Sequence, residues 1–425
     1  MLPQRSSSTL DPQSEESAPP KRSLTKHRNA DEIDPDTIIG RRFIRILESH
    51  LKNLHAHRDH GNRDVFYDHL VVAHLLAFFN PTVTSLRKID DLFDHPEVRK
   101  RFGSPRLPKS TVSDAQRVLD PHLLRPVMDS LKRQAQSHPH DTRLDAITRQ
   151  LLAVDGSFFT VAPRIAWAVF NGSGKGNVRA HVQFDVLQGL PEHVTLTDGQ
   201  ANESKQLEAA LRTDCFYVMD RGFQRYELLN KILNIKSDFL VRLRKSGQAQ
   251  TIEELPLTAA DQAAGIQSDT RVRLGCRDDQ MADLPEVRRI EVAYTSRKGE
   301  QETLILITNR FDLPAHLIAL IYQHRWQVEL FFRWIKCTAN FKHFFSESQN
   351  GMTLQMYVVM IGLLLIAIET GAKPSSYDYS LLAAVASGLM PLDEETLRIA
   401  AKRRAERARA AAREKEYRAR RKNAQ

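Results

Sequence analysis

"IYQHRWQVELFFRWIK" (residues 321–336) has the spacing of a helix, yet its polar residues are not where a solvated face would put them. At roughly 100° per residue, Tyr322, Arg325, Glu329 and Lys336 fall within roughly 60° of one another around a helix axis. With a rise of ~1.5 Å per residue they make one stripe about 21 Å long, and Val328, Phe331 and Ile335 turn away from it. An Arg325–Glu329 pair at i,i+4 is also what an ordinary exposed ion pair looks like, contributing only a few tenths of a kcal/mol. The stripe alone therefore decides nothing, and the residues upstream of it matter.

Two apolar, strand-like runs upstream end in an acid. "LLAVDGS" (151–157) delivers Asp155 and "CFYVMDRGF" (215–223) delivers Asp220. Each is followed at once, or after one residue, by a glycine that lets the backbone turn sharply beside the carboxylate. Acids at the ends of adjacent strands face one another, and Glu329 would join them from a helix packed beside the sheet. Three hard oxygen donors suit Mg²⁺. Two such ions ~3.5–4 Å apart suit phosphodiester chemistry. Either aspartate taken singly reads equally well as a turn residue.

The bulk numbers allow such an enzyme. A chain of 425 residues with 41% hydrophobic content is long enough for two or more domains with a sizeable core. Its three cysteines, Cys215, Cys276 and Cys337, are far apart and lack CxxC spacing, which argues against a disulfide framework or a zinc ribbon and fits a reducing cytoplasm. There is no basic-then-apolar leader. The longest apolar run, "MYVVMIGLLLIAI" (356–368), is too short to cross a bilayer and predicts a buried helix rather than a membrane span. Net charge is +9, but Lys402–Gln425 holds eleven Lys/Arg against three Glu, a net +8 that leaves +1 for the remaining 401 residues. A basic, Ala-rich helical tail is the footprint of sequence-independent phosphate contact or of a solvated end.

The texture changes along the chain. Residues 1–36, rich in Ser, Pro and charge, predict disorder. Residues 37–150 have helical spacing. Within them "RLPKSTVSDAQRVL" (106–119) puts Ser110 where an N-cap belongs, so Lys109, Ser110 and Thr111 are candidates for DNA contact at a helix–turn–helix, although an ordinary capped helix reads the same way. The histidines at 50, 55, 57 and 60 lack convincing ligand spacing. After 150, short apolar runs alternate with helices, giving an α/β reading: a first core part at 151–238, a β-rich insertion at 239–309 whose last two strands turn at Arg297, Lys298 and Gly299, a second core part at 310–371 and a helical region with the basic tail at 372–425. "NGSGKG" (171–176) is not a phosphate-binding loop, because Val169 stands where that pattern needs glycine.

"VDGS" (154–157), "MDRGF" (219–223) and Y-x2-R-x3-E-x6-K at Tyr322, Arg325, Glu329 and Lys336 resemble the D-D-E transposases of bacterial insertion sequences, specifically the insertion-sequence-4 group. The resemblance covers about 150–370, including the long insertion between Asp220 and Glu329. It implies a ribonuclease-H-like α/β core interrupted by that insertion. It implies Asp155, Asp220 and Glu329 as catalytic ligands of Mg²⁺, two ions with Mn²⁺ able to substitute. Tyr322, Arg325 and Lys336 would hold phosphates of the terminal strand, and Trp326 would stack an extruded base. Ser157 stands where many relatives have Thr. The implied partners are double-stranded DNA, as transposon ends and target, and a second copy in a homodimeric end complex at the bacterial nucleoid. The implied route is cleavage at the ends, through a hairpin in well-studied members, then joining of the 3′-hydroxyl. The rivals are a ribonuclease-H-fold nuclease that cuts without joining, and a DNA-binding copy that no longer cuts.

Overall fold

A helix that is apolar on every side has no face to offer water and must be surrounded by protein. Two segments have this character, and they organise the helical part of the chain. The computed structural model describes residues 39–57, 65–80, 82–135, 141–161, 167–171, 175–244, 249–274, 286–296, 299–337, 344–371, 373–386 and 394–423. The segment predicted to be disordered and the turn residues Arg297 and Lys298 lie outside these.

Helices α1 (Ile39–Ala56), α2 (Tyr67–Phe79), α3 (Leu86–Asp94), α4 (Pro96–Phe102), α5 (Lys109–Val118) and α6 (Arg125–Gln134) come first. Far along the chain, α12 (Gln349–Thr370) is buried along nearly its whole length and packs against α2, α5 and α6. The apolar run is not, as the sequence suggested, too short to cross a bilayer, since it lies within a 22-residue helix, but 94% of its apolar window is buried inside the protein, as expected of a buried helix. Where α12 meets α2, Gly362 leaves no space: a Cβ there would stand 2.5 Å from the Phe78 ring.

The rest is a ten-stranded mixed sheet. Its strands are β1 (Gln150–Val161), β2 (Val169–Asn171), β3 (Lys175–Asp185), β4 (Leu190–Asp198), β5 (Cys215–Met219), β6 (Asp238–Arg242), β7 (Ala249–Glu254), β8 (Ile266–Leu274), β9 (Val287–Thr295) and β10 (Gln301–Thr308), in the order β2-β3-β1-β5-β6-β10-β9-β8-β7, with β4 beside β3. The central trio β1-β5-β6 is parallel. Helices α7 (Glu203–Ala209) and α8 (Tyr226–Asn234) supply the crossovers and cover one face, where Leu152, Val154, Tyr217 and Met219 meet Leu207, Leu228 and Ile232. The other face, with Leu151, Ala153, Val182 and Val218, packs under α11 (Trp326–Cys337) and α12.

The β-rich segment is not a separate body. Strand β6 pairs in parallel with β5, and β10 pairs antiparallel with β6, so the sheet runs on through β9, β8 and β7. The expected boundary at 239 therefore falls inside a central strand. This extension also anchors the next helix in the chain, α10 (Ala315–His324). Buried Arg288 grips Asp269 with Nε to Oδ1 at 2.9 Å and Nη2 to Oδ2 at 2.5 Å, and donates to the carbonyls of Arg310 and Leu313. Asp261, in α9 (Ala259–Ala263), accepts from the backbone N–H of His316 at 2.9 Å. Both contacts hold the start of α10. The chain closes with α13 (Ser376–Ala386) and the 30-residue α14 (Glu394–Asn423).

Phe78 is itself wedged against the rings of Phe79, Trp334 and Tyr379, so it cannot retreat from a new methyl group. Gly362→Ala should therefore lower the unfolding free energy by about 1–2 kcal/mol, overpacking outweighing the ~1 kcal/mol of helix propensity gained. Adding Phe78→Leu should restore part of the loss. A urea-unfolding midpoint for Gly362→Ala at or above the parent's would contradict this account of the α2–α12 contact.

Candidate active site

The parallel ladder between β1 and β5 ends at the pair Val154–Met219, so the next residue on each strand, Asp155 and Asp220, stands beside the other by register alone. Asp155 is not at a strand end as the sequence suggested. Strand β1 runs on to Val161, paired with β3, and it is only β5 that stops. Nor does Gly156 turn the chain, since it sits within β1 opposite His181. Because side chains alternate along a strand, Asp155 points to the α11 face with Ala153 and Val182.

The helix read over 321–336 is two helices. α10 ends at His324 and α11 begins at Trp326, with Arg325 between them. Hydrogen bonds from Arg325 N to the Tyr322 carbonyl and from Val328 N to the Arg325 carbonyl span three residues rather than four, a tight turn that interrupts the α-helical ladder. The single-axis stripe is thus broken, but its residues still face the two strands. The Tyr322 hydroxyl donates to Asp220 Oδ1 at 3.4 Å, Arg325 Nη2 to Glu329 Oε1 at 2.6 Å and Lys336 Nζ to Ser157 Oγ at 2.8 Å. Trp326, 39% exposed, lies on the outer side of the break.

Charge is concentrated here. Burial pushes the Asp155 carboxyl up to about 6. The Gly156 N–H and Arg325 oppose that shift, while Glu329 and Glu203 reinforce it. Burial also lifts the Tyr322 hydroxyl to about 12, so it stays a donor. Arg325, only 9% exposed, feels Glu329 and Asp220 and leaves its Nε without a partner. A set of hard carboxylate oxygens sharing one guanidinium as counter-charge is a donor set that fits a divalent cation. Arg325 bonds Glu329 within this set and bears on Asp155 and Asp220 as well.

Sequence reading missed Glu203. It opens α7, bonded by Arg179 Nη2 at 2.6 Å, and it bears electrostatically on both Asp155 and Asp220. Behind an Asn202 N-cap that accepts from Lys205 N, an acid in the first helical turn looks like ordinary dipole compensation. The available signal was Gly156, a glycine in a strand with no turn to make.

A family profile described as "Transposase DDE domain" matches residues 147–365, just over half the chain. The chain belongs to the transposase DDE domain family. It is 28% identical to a putative transposase, y4zB, of Sinorhizobium fredii over 53% of this chain, a match that takes in 64% of that relative's length and so falls short of two thirds of it. It is 26% identical to a probable transposase for insertion sequence element IS5377 of Geobacillus stearothermophilus over 70% of this chain and 78% of the relative. A solved piggyBac transposase synaptic complex with hairpin DNA aligns over 86% of this chain and 84% of its own with a TM-score of 0.38 and 11% identity, too loose a likeness to compare residue by residue. The matched span of the transposase domain contains Asp155, Asp220, Glu203 and Glu329 together.

Two other readings change. The N-cap of α5 is Pro108, not Ser110, because Pro108 keeps extended backbone while Lys109 is already helical. Lys109 N donates to Asp90 Oδ2 at 3.0 Å, so an acid already occupies that helix start. Lys109 and Ser110 are exposed and Thr111 is half-buried. Of the four histidines set aside, His60 lies outside the described residues, and His55 comes together with Asp68 and His69, whose ligand atoms lie within 4.8 Å of one another. His69 Nδ1 accepts from Phe66 N at 3.2 Å, which leaves the proton of the neutral ring on Nε2, facing Asp68. His55 Nδ1 bonds Asp68 Oδ2 at 3.0 Å and so links α1 to α2, with His69 Nε2 3.7 Å from the same oxygen.

The raised Asp155 carboxyl has a stability consequence with a definite sign. Its protonated form is favoured in the folded state, so the contribution is fully present below the unfolded value near 3.8 and lost as pH rises through about 6. With divalent cations chelated, Asp155→Asn should be more stable than the parent by about 3 kcal/mol at pH 8, and the two should converge near pH 4. A gap that does not change between pH 4 and pH 8 would mean the carboxyl is not held towards its neutral form.

Proposed function

We propose that this chain is a DNA transposase of the insertion-sequence-4 type, with a ribonuclease-H-like core, which cuts DNA at the ends of its element and joins the freed 3′-hydroxyl to target DNA. The observation that supports it most is register: the last β1–β5 pair sets Asp155 beside Asp220, and α11 brings Glu329 to the same face in a chain of the transposase DDE domain family. In this reading Asp155, Asp220 and Glu329 hold Mg²⁺ or Mn²⁺, two ions per site. When bound, the cations supply Lewis acidity to the scissile phosphate and the attacking hydroxyl.

The chain's own groups do the positioning. Tyr322 keeps its hydroxyl proton and points it along the Asp220 side of the site, where a non-bridging phosphate oxygen can accept it. Arg325 swings from Glu329 onto a phosphate, gripping it at two points, while Lys336, held at Ser157, supplies a point charge further along the strand. Trp326 offers its exposed ring to an unstacked base. The side chains of Lys109, Ser110 and Thr111 add a weaker contact at the start of α5. Two copies would assemble on paired DNA ends, each cutting by way of a hairpin.

Replacing a ligand without changing its shape tests the core of this reading. Asp155→Asn, Asp220→Asn or Glu329→Gln should each reduce cutting by about two orders of magnitude or more in Mg²⁺ while end-binding survives. Arg325→Ala and Lys336→Ala should depress joining or hairpin formation more than the first nick, because the 3′-hydroxyl must be held in line with a second phosphorus. Scoring nicked, hairpin and joined products separately on a gel decides between transposase and plain nuclease: equal loss of all three in the last two variants would reduce these residues to support for binding or folding.

Helix α14 carries the excess charge. Its first part is tied down, with Arg404 Nε 3.1 Å from buried Asp378 and Arg407 stacked 4.7 Å from the Tyr377 ring. Beyond this the described side chains to Arg413 are exposed. Deleting Lys402–Gln425 should weaken binding to all duplexes alike. If about four bases touch phosphate, the salt slope should shrink by roughly 3.6. A slope that matches the parent's would leave α14 as a solvated end.

A further inference from the structure

Gly156 comes directly after the first aspartate, lies in an extended strand and has no left-handed backbone to justify it. Its lack of a side chain has a different cause. A Cβ there would stand 2.4 Å from Glu203 Oε1 and 3.2 Å from Arg179 Nε. The other carboxylate oxygen, Oε2, is the nearest neighbour to the space beside Gly222, two residues after Asp220. One carboxylate from α7 is thus seated between the backbones of the two aspartates, on the face opposite to Glu329. It is bonded by Arg179 of β3 at 2.6 Å, and the Arg179 Nε is buried without a partner. The Arg179 guanidinium also stacks 4.5 Å from the ring of Phe158, which is 46% exposed.

We propose that Glu203 is the fourth carboxylate of this site, a positioning residue seated where Gly156 has no side chain, and that with Arg179 as its counter-charge it sets how tightly Asp155 and Asp220 hold a divalent cation. The inference rests on the reading of those aspartates as cation ligands. Removing Glu203's charge leaves Arg179 positive and unpaired beside the aspartates, which opposes a cation. Removing Arg179's charge leaves Glu203 negative, which favours one. The two halves of one ion pair therefore act in opposite directions. A salt bridge that merely holds β3 to α7 would weaken binding the same way whichever half is removed.

The test is calorimetric titration of Mn²⁺ into the full chain without DNA. Glu203→Gln should weaken Mn²⁺ affinity by about tenfold, and Arg179→Gln should tighten it severalfold. Gly156→Ala, which changes no charge, should weaken it like Glu203→Gln by pushing the carboxylate from its seat. Should Glu203→Gln fail to fold, the other two variants still carry the sign. Asp155→Asn is the control and should abolish binding. If it does so while Glu203→Gln and Arg179→Gln leave affinity unchanged or move it in the same direction, the role of Glu203 is overturned and the aspartate reading stands. If Asp155→Asn binds Mn²⁺ like the parent, the aspartate reading falls and this inference falls with it.

Discussion

The pairing of β1 with β5 ends one residue before each aspartate, and the rest of the architecture depends on keeping that register. A slip of one residue would send Asp155 to the α7 face and put Val154 in its place. Register is strongly specified because both faces are buried: Leu151 and Ala153 must meet the layer under α11 and α12, and Leu152 and Val154 must meet α7 and α8. Two independent hydrophobic layers therefore enforce the position of one acid. Glu329 has no such local guarantee. It depends on where α11 begins, hence on the turn at Arg325 and on how α10 is anchored. The Arg288–Asp269 pair and the Asp261–His316 bond do that anchoring from the extended sheet. The long segment between the second aspartate and the glutamate is thus a strut for the helix that delivers Glu329, built onto the same sheet that sets the aspartates.

The parts of the site legible in the sequence are those governed by local pattern. Asp155 and Asp220 end apolar runs, and Tyr322, Arg325, Glu329 and Lys336 share a period, so both could be read without knowing what packs against them. Helix α12 was legible because a helix apolar all round has only one kind of surrounding. The break at Arg325 was not legible, because three-residue hydrogen bonds leave side-chain periodicity almost unchanged over one turn. Ser110 was misplaced as an N-cap since its side chain suits the role, whereas Asp90 of α3, far away in sequence, supplies the bond at that helix start. Glu203 was invisible for the same reason. Its meaning lies in a contact with Gly156, 47 positions earlier, and nothing in "NESKQL" (202–207) distinguishes it from a charge placed for the helix dipole.

The charges explain how such a site can fold at all. Asp155, Asp220, Glu203 and Glu329 lie near Arg179, Arg325 and Lys336, four negative groups against three positive. Partly buried carboxylates of like sign are costly unless compensated, and these three bases compensate most of them. Burial still pushes two of the four carboxyls up, Asp155 and Glu203, and their acidic neighbours add to the shift. Every compensating base is an arginine or lysine on a long stem, Arg325 reaching Glu329 and Lys336 reaching Ser157. If, as proposed, these acids hold a divalent cation, it would take over their neutralisation and leave the same bases able to turn to a phosphate. On that proposal, neutralising the folded site and gripping a polyanion would be one rearrangement of the same side chains, with the buried Arg325 passing from Glu329 to the phosphate.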